Sequence, residues 1–251
     1  MDSGRTTSQE YWEAVHAPQP RMSLPSDVLV STQNTKRLLR RYVRPGMEVL
    51  EIGCAPGKLL SFLASRLRAR IHGLDYSTAG VDCCHKLLRH LRLRGDIRCE
   101  DLFQTTFPPA SFDLVYSLGV VEHFDDPSDV IDRHVQFLRP GGIALVAVPR
   151  YSGLYLDLQS RFDPENLKLH NLRVMQADVL QAAAPADPPY VSRVFPWGRA
   201  DFGLINIDKR MSRMTARLLW LSLNCLSWFQ PMDIPPLCPM LILEVVRRGS
   251  A

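Results

Sequence analysis

Between residues 46 and 149, short apolar runs alternate with longer amphipathic stretches, and this alternation constrains the fold more than any other feature of the 251-residue chain. Residues 47–52 (MEVLEI), 70–74, 96–99, 112–117 (FDLVYS) and 143–148 (IALVAV) read as strands. Residues 58–67, 78–93 and 128–138 read as helices; in the first, Leu59, Leu60, Leu63 and Leu67 recur at helical spacing. Gly141-Gly142 reads as a break before the last strand. Strands that alternate with helices require crossover connections and a parallel sheet. Strands that are apolar throughout require cover on both faces. The predicted fold is therefore α/β, a doubly wound Rossmann-like sheet with helices on both faces. Ligands of such sheets bind at the carboxyl ends of the strands, beside the topological switch. The chemistry is expected in the loops after Ile52, Leu74, Cys99 and Ser117.

Hydrophobic residues make up 46% and charged residues 22%, which excludes the disordered and fibrous classes. Thirty Lys and Arg against 26 Asp and Glu leave a net charge of +4, too small an excess to argue for nucleic acid. The six cysteines form no C-x-x-C pair, residues 1–10 are polar, and no apolar run approaches the ~20 residues that span a bilayer. A reduced, cytoplasmic protein without integral membrane association is expected.

The first loop, Glu51-Ile52-Gly53-Cys54-Ala55-Pro56-Gly57-Lys58, leaves a strand and opens a helix. Counted from Gly53, a dinucleotide fingerprint would need glycine at Ala55 and Lys58, and a phosphate-binding P-loop would need one more residue and a hydroxyl after Lys58. Both are disfavoured. Asp75 ends the second strand 24 positions after Glu51, where a carboxylate can bind ribose hydroxyls by charge-assisted hydrogen bonds. The competing role is helix capping, for which Ser77 serves equally well.

Glu51, Gly53, Ala55 and Gly57 resemble the first motif of the class I S-adenosylmethionine-dependent methyltransferases, and the run FDLVYSLGVVEHF at 112–124 resembles the fourth motif of their small-molecule members. Leu138-Arg139-Pro140-Gly141-Gly142 resembles the turn before their fifth strand. The resemblance covers 47–149 and implies a mostly parallel seven-stranded sheet closed by a C-terminal antiparallel hairpin, here 189–197 with 240–247. It implies S-adenosyl-L-methionine as cofactor and S-adenosyl-L-homocysteine as product. It also implies cofactor contacts at Glu51, Gly53, Cys54, Ala55, Gly57, Asp75, Tyr76, Asp101, Leu102, Ser117 and Leu118. Cys54 enters as a small side chain, and Asp101 and Leu102 as the adenine position.

Methyl transfer needs an aligned nucleophile and a proton acceptor. His123, after the fourth strand, is the candidate base, with structural packing as its competing role. The ubiquinone-pathway O-methyltransferases carry Glu-x-x-Glu-His here and use a divalent ion; Gly119 stands where their first Glu falls. Glu122 and His123 alone make a poor hard-cation site, so no metal is expected. His170, ahead of a helix expected at 175–184, reads as a capping or loop residue, or as a substrate-facing histidine.

Residues 1–45 are expected to form a helical N-terminal segment, a possible substrate cap in which Tyr11 and Trp12 either close over the site or staple the segment down. Residues 46–251 form the methyltransferase domain, divided into a cofactor-binding half at 46–149 and a substrate-side half at 150–251. The latter carries a helical insertion at about 200–239. Within it, residues 210–229 form a helix dense in Leu, Met and Trp, read as core or lid first, dimer contact second and membrane contact third. The expected function is methyl transfer to a small acceptor, partly apolar or aromatic, most simply at oxygen. An RNA methyltransferase and a non-catalytic cofactor-binding subunit are the alternatives.

Overall fold

A computed structural model describes residues 4–18 and 22–249. Two helices come first, α1 (Gln9–His16) and α2 (Val30–Tyr42); residues 1–3 and 19–21 of the expected N-terminal segment lie outside the described residues. Then follow β1 (Glu48–Ile52), α3 (Lys58–Leu67), β2 (Arg70–Asp75), α4 (Thr78–His90), β3 (Asp96–Cys99) and β4 (Phe112–Leu118). The chain continues through α5 (Pro127–Gln136), β5 (Leu138–Pro149), α6 (Leu154–Phe162), α7 (Pro164–Leu167) and α8 (Ala177–Ala182). It ends with β6 (Tyr190–Trp197), α9 (Arg213–Phe229) and β7 (Met240–Arg247).

The seven strands form one sheet in the order β3-β2-β1-β4-β5-β7-β6. The first five are parallel, and β7 runs antiparallel to both β5 and β6. This is the expected seven-stranded sheet with its terminal hairpin. Alternation along each strand builds two cores. Val49, Ile71, Leu114, Tyr116 and Leu145 face α2, α3 and α4, with Leu38, Leu39, Leu63 and Leu88. Leu50, Ile52, Leu74, Val115 and Val146 face the other layer, with Val130 and Ile131 of α5, Tyr155 of α6 and Leu180 of α8. Helix α2 is thus built into the main core rather than laid over it.

Three local readings change. Gly141-Gly142 lies inside β5 rather than before it: pairing runs Phe112 with Leu138, then resumes at Leu114 with Ile143. The intervening residues bulge, and Gly141 takes φ +83°. Helices α6 and α7 occupy a stretch where no helix was predicted. The helix expected at 175–184 is shorter, Ala177–Ala182. Among the described residues, no helix is long and apolar enough to cross a membrane.

Candidate active site

Order reverses between β1 and β4, so a crevice opens at their carboxyl ends. The loop after β1 is held there by its own amides. Gly53 N and Cys54 N both donate to the Leu74 carbonyl, at 2.8 and 3.2 Å, and Gly57 N donates to Cys54 O at 2.7 Å. Gly53 sits at φ +73°, and a Cβ added there would lie 2.6 Å from Val120 Cγ2. Only glycine satisfies both the turn and the approach of the neighbouring loop. Asp75 fastens the two loops: its Oδ2 accepts from Ala55 N at 3.0 Å and its Oδ1 from Ser77 N at 2.9 Å. Ser77, not Asp75, caps α4, through Gly80 N at 3.0 Å. Burial pushes the Asp75 carboxyl up, against the pull of those two amides.

A cavity of about 250 Å³ fills the crevice. Gly53, Ala55, Asp75, Tyr76, Leu102, Leu118 and His123, all singled out from the sequence, line it. The remaining predicted contacts, Glu51, Cys54, Gly57, Asp101 and Ser117, stand outside its wall. Cys54 is buried with its Sγ 3.9 Å from Cys84 Sγ, and Gly57 packs against Cys84. Ser117 Oγ is bonded to His134 Nε2 at 2.8 Å inside the core. Asp101 forms an ion pair with Arg5 at 2.6 Å.

Glu51 is 4% exposed, and its Oε2 has no hydrogen-bond partner. Burial pushes its carboxyl up to about 8, against the pull of the Tyr116 hydroxyl, and the Asp75 charge adds to the rise. An orphaned buried carboxylate oxygen is costly unless a cationic partner arrives. Beside a glycine-walled crevice, that partner fits the ammonium of an amino-acid cofactor.

The segment after β4 carries Glu122 and His123 on a short turn of 3-10 helix, Val121–His123. His123 Nδ1 lies 2.9 Å from the Leu169 carbonyl; a carbonyl only accepts, so Nδ1 holds the proton and Nε2 the lone pair. The ring meets Trp12 edge-on at 5.1 Å and lies 4.7 Å from the His170 ring. Burial, then the His170 charge, lowers His123 to about 4, so it is neutral at physiological pH. Burial also pushes Glu122 up to about 8, and its Oε2 lacks a partner. Glu122, His123 and His170 each offer a ligand atom, all within 4.8 Å of one another. The sequence reading counted only the first two. Two imidazoles and a single carboxylate suit a borderline cation better than calcium or magnesium. His170 Nδ1 also donates to Asn166 O at 2.8 Å at the end of α7, which is its expected capping role.

The N-terminal strap forms one side of the cavity. Thr6 N donates to His123 O at 2.8 Å, and Asp125 N to Gly4 O at 2.7 Å. Glu13 accepts from Thr78 N and Ala79 N, at 2.6 and 2.9 Å, pinning α1 to the N-terminus of α4. Arg5, Thr7, Trp12 and His16 are the strap's share of the lining. Of these the sequence pointed only to Trp12, through the Tyr11-Trp12 pair; Tyr11 itself is outside the lining. No spacing rule ties Arg5 or His16 to strands that lie far downstream.

A family model described as a methyltransferase domain matches residues 50–146. A probable S-adenosylmethionine-dependent methyltransferase of Mycolicibacterium smegmatis is 38% identical over 104 residues, 41% of this chain and 38% of that protein. A ubiquinone biosynthesis O-methyltransferase of Coxiella burnetii is 24% identical over 135 residues, 54% of this chain and 55% of that protein. The chain thus spans about half or less of the curated relatives it matches. Among solved structures, the phosphoethanolamine N-methyltransferase 2 of Haemonchus contortus, bound to phosphomonomethylethanolamine and S-adenosylhomocysteine, superposes with a TM-score of 0.59 at 17% identity. That match covers 87% of this chain and 52% of the other. Residues 50–146 thus match a methyltransferase domain, and over that stretch the chain is similar to S-adenosylmethionine-dependent methyltransferases, on a sheet of the same Rossmann-like kind.

Proposed function

We propose that this protein transfers the methyl group of S-adenosylmethionine to a small acceptor, most simply at oxygen, with His123 as the proton acceptor. The observation that carries the reading is the pairing of an unpartnered, buried Glu51 oxygen with a crevice walled by Gly53 and Ala55. Glu51 would hold the cofactor's ammonium, Asp75 the ribose through lone pairs its two amide bonds leave open, and Leu102 and Leu118 the apolar walls. When bound, the cofactor supplies a methyl group already activated on a sulfonium.

The chain's own contribution is position, dryness and a proton path. Alignment of acceptor and donor accounts for ~7 kcal/mol or more of barrier reduction where geometry is good. Trp12, Phe124 and Val120 keep water from the lining. The Leu169 carbonyl fixes the His123 tautomer, so Nε2 presents the lone pair that takes a hydroxyl proton as the new bond forms. With His123 lowered to about 4, this base is unprotonated from pH 6 upward, and its protonation does not limit the rate there.

The test is twofold. S-adenosylhomocysteine should raise the melting temperature of the wild-type chain, and labelled cofactor should methylate a hydroxylated small molecule from a screen. His123→Asn should lower kcat by about 10²–10⁴ with cofactor affinity unchanged. Failure of the melting shift removes the cofactor reading; unchanged kcat removes His123 as base.

A further inference from the structure

Helix α9 is seventeen residues long, yet only Ala216 and Ser227 are buried along it. Its inner side is well anchored. Leu219 and Trp220 pack on the core beside Ile205 and Ile207. Asn224 Oδ1 accepts from Val30 N at 3.1 Å, and Trp228 Nε1 donates to the Val28 carbonyl at 2.9 Å. The outer side carries Met214 (74% exposed), Leu218 (60%), Leu221 (47%) and Phe229 (84%). At 3.6 residues per turn these fall on one face, ~25 Å long, and the exposed Cys225 lies between them.

The charge around this row is one-sided. Lys209, Arg210, Arg213 and Arg217 are all exposed at its N-terminal end. No Asp or Glu occurs from 209 to 232; the flanking acids are Asp208 and Asp233. Among the described residues, none of these four cations is in an ion pair.

We propose that this face docks the protein on an anionic lipid bilayer, with α9 lying in the plane of the headgroups. The apolar row would enter the acyl boundary and the four cations would meet lipid phosphates, the division of labour of an interfacial amphipathic helix. Seventeen residues fall short of the ~20 that span hydrocarbon, and no described helix meets the requirement for crossing. A second copy seated on the same face would bring four more cations and no acid, so charge complementarity favours the lipid surface. The proposal does not rest on methyl transfer, and its test measures none.

The experiment is co-sedimentation of the full chain with vesicles of phosphatidylcholine alone or of phosphatidylcholine mixed with phosphatidylglycerol. The wild type should pellet with the mixed vesicles, remain in solution with phosphatidylcholine, and be released by salt. Arg213→Gln with Arg217→Gln should weaken binding about 25-fold, at about 5-fold per cation. Leu218→Glu with Phe229→Ser should abolish it while melting with the wild type, since both side chains are exposed. The proposal is overturned if wild-type chain stays in solution with anionic vesicles, or if both vesicle types bind it equally. It is equally overturned if folded variants bind as the wild type does, or if the wild type is a dimer that Leu218→Glu makes monomeric. The two-lipid comparison needs no variant, so a misfolded mutant leaves the outcome decided.

Discussion

Residues 46–149 and helix α9 spend their apolar residues in opposite ways. From 46 to 149, apolar runs report burial: Val49, Leu50, Leu60, Leu63, Val115 and Val146 are each fully enclosed between sheet and helix. From 150 to 249, the run that looks most like a core helix, α9, turns Met214, Leu218, Leu226 and Phe229 outward. The same composition means core where strands and helices alternate and surface in a long helix inserted between the last two strands. A periodic pattern identifies a helix face; it does not say what medium that face meets.

The sharpest way to break this comparison is truncation on each side. Leu63→Ala removes a side chain that is wholly buried in α3 and should cost about 3 kcal/mol through lost transfer energy and the cavity left behind. Leu218→Ala on α9 should change stability by no more than about 0.5 kcal/mol. Urea unfolding of both variants decides it; a comparable loss at Leu218 would mean that α9 is core after all.

The difference also explains what was legible in the sequence. Five strands follow from short runs bounded by turn residues, the terminal hairpin follows from the family resemblance, and the cavity residues at the ends of β1, β2 and β4 follow from position. The strap was not legible: Arg5 and His16 reach the cavity by tertiary contact, which leaves no periodic trace. His170 joins Glu122 and His123 because Asn171 N bonds Glu122 O at 2.6 Å and His123 Nδ1 bonds Leu169 O at 2.9 Å, folding a distant loop against the turn. Cys54 and Gly57 sit in the first loop and Ser117 near the end of β4, but all three face core neighbours, because small residues there serve the turn and the packing. Helices α6 and α7 escaped notice because they are short, and α6 buries only Tyr155 and Gln159.

Within the first half, two glycines separate strain from function. Gly53 and Gly141 both take positive φ, so alanine at either should cost roughly 1–2 kcal/mol of stability. Only at Gly53 does the added methyl meet Val120 and project beside the cavity, whereas Gly141 has open space around it. Gly53→Ala should abolish the thermal shift given by S-adenosylhomocysteine, and Gly141→Ala should preserve it. Equal behaviour would detach the first loop from cofactor binding.

A smaller effect tests Glu51 directly. Its carboxyl is raised from an ordinary 4.5 to about 8, so the ligand-free fold keeps a proton that the unfolded chain has released over that window. The folded state binds more protons, and stability falls as pH rises from 4.5 to 8, by about 1.4 kcal/mol per pH unit for one group. His123 and His134, lowered to about 4, act in the opposite sense below 6.5, so the informative range is pH 6.5–8. Glu51→Gln should be flatter than the wild type there by that slope in urea titrations. Binding the ammonium should drive the proton off Glu51. Calorimetry near pH 7, in buffers of different ionisation enthalpy, should then detect close to one proton released by the wild type and none by Glu51→Gln.

The smallest expected effect concerns the strap that joins the two readings of the cavity wall. Arg5 pairs with Asp101 at 2.6 Å and stacks on the Tyr76 ring at 4.9 Å, so it ties the N-terminus to the loops after β2 and β3. Both partners are partly exposed, 18% and 29%, and such a pair contributes no more than about 1 kcal/mol. With the Phe103 and Phe124 rings also under its guanidinium, Arg5→Ala should lower stability by no more than about 2 kcal/mol. Its consequence should be kinetic, because the strap also bonds the His123 carbonyl through Thr6 N and must part for ligand exchange. Dissociation of S-adenosylhomocysteine, followed through the fluorescence of Trp12 in the cavity wall, should quicken by up to about 5-fold. Arg5→Lys should recover little of it, since a lysine keeps the charge but not the planar stack on Tyr76. An unchanged off-rate in Arg5→Ala would show that ligand leaves by a route the strap does not cover, and the closure would then lie with Trp12 and α1 alone.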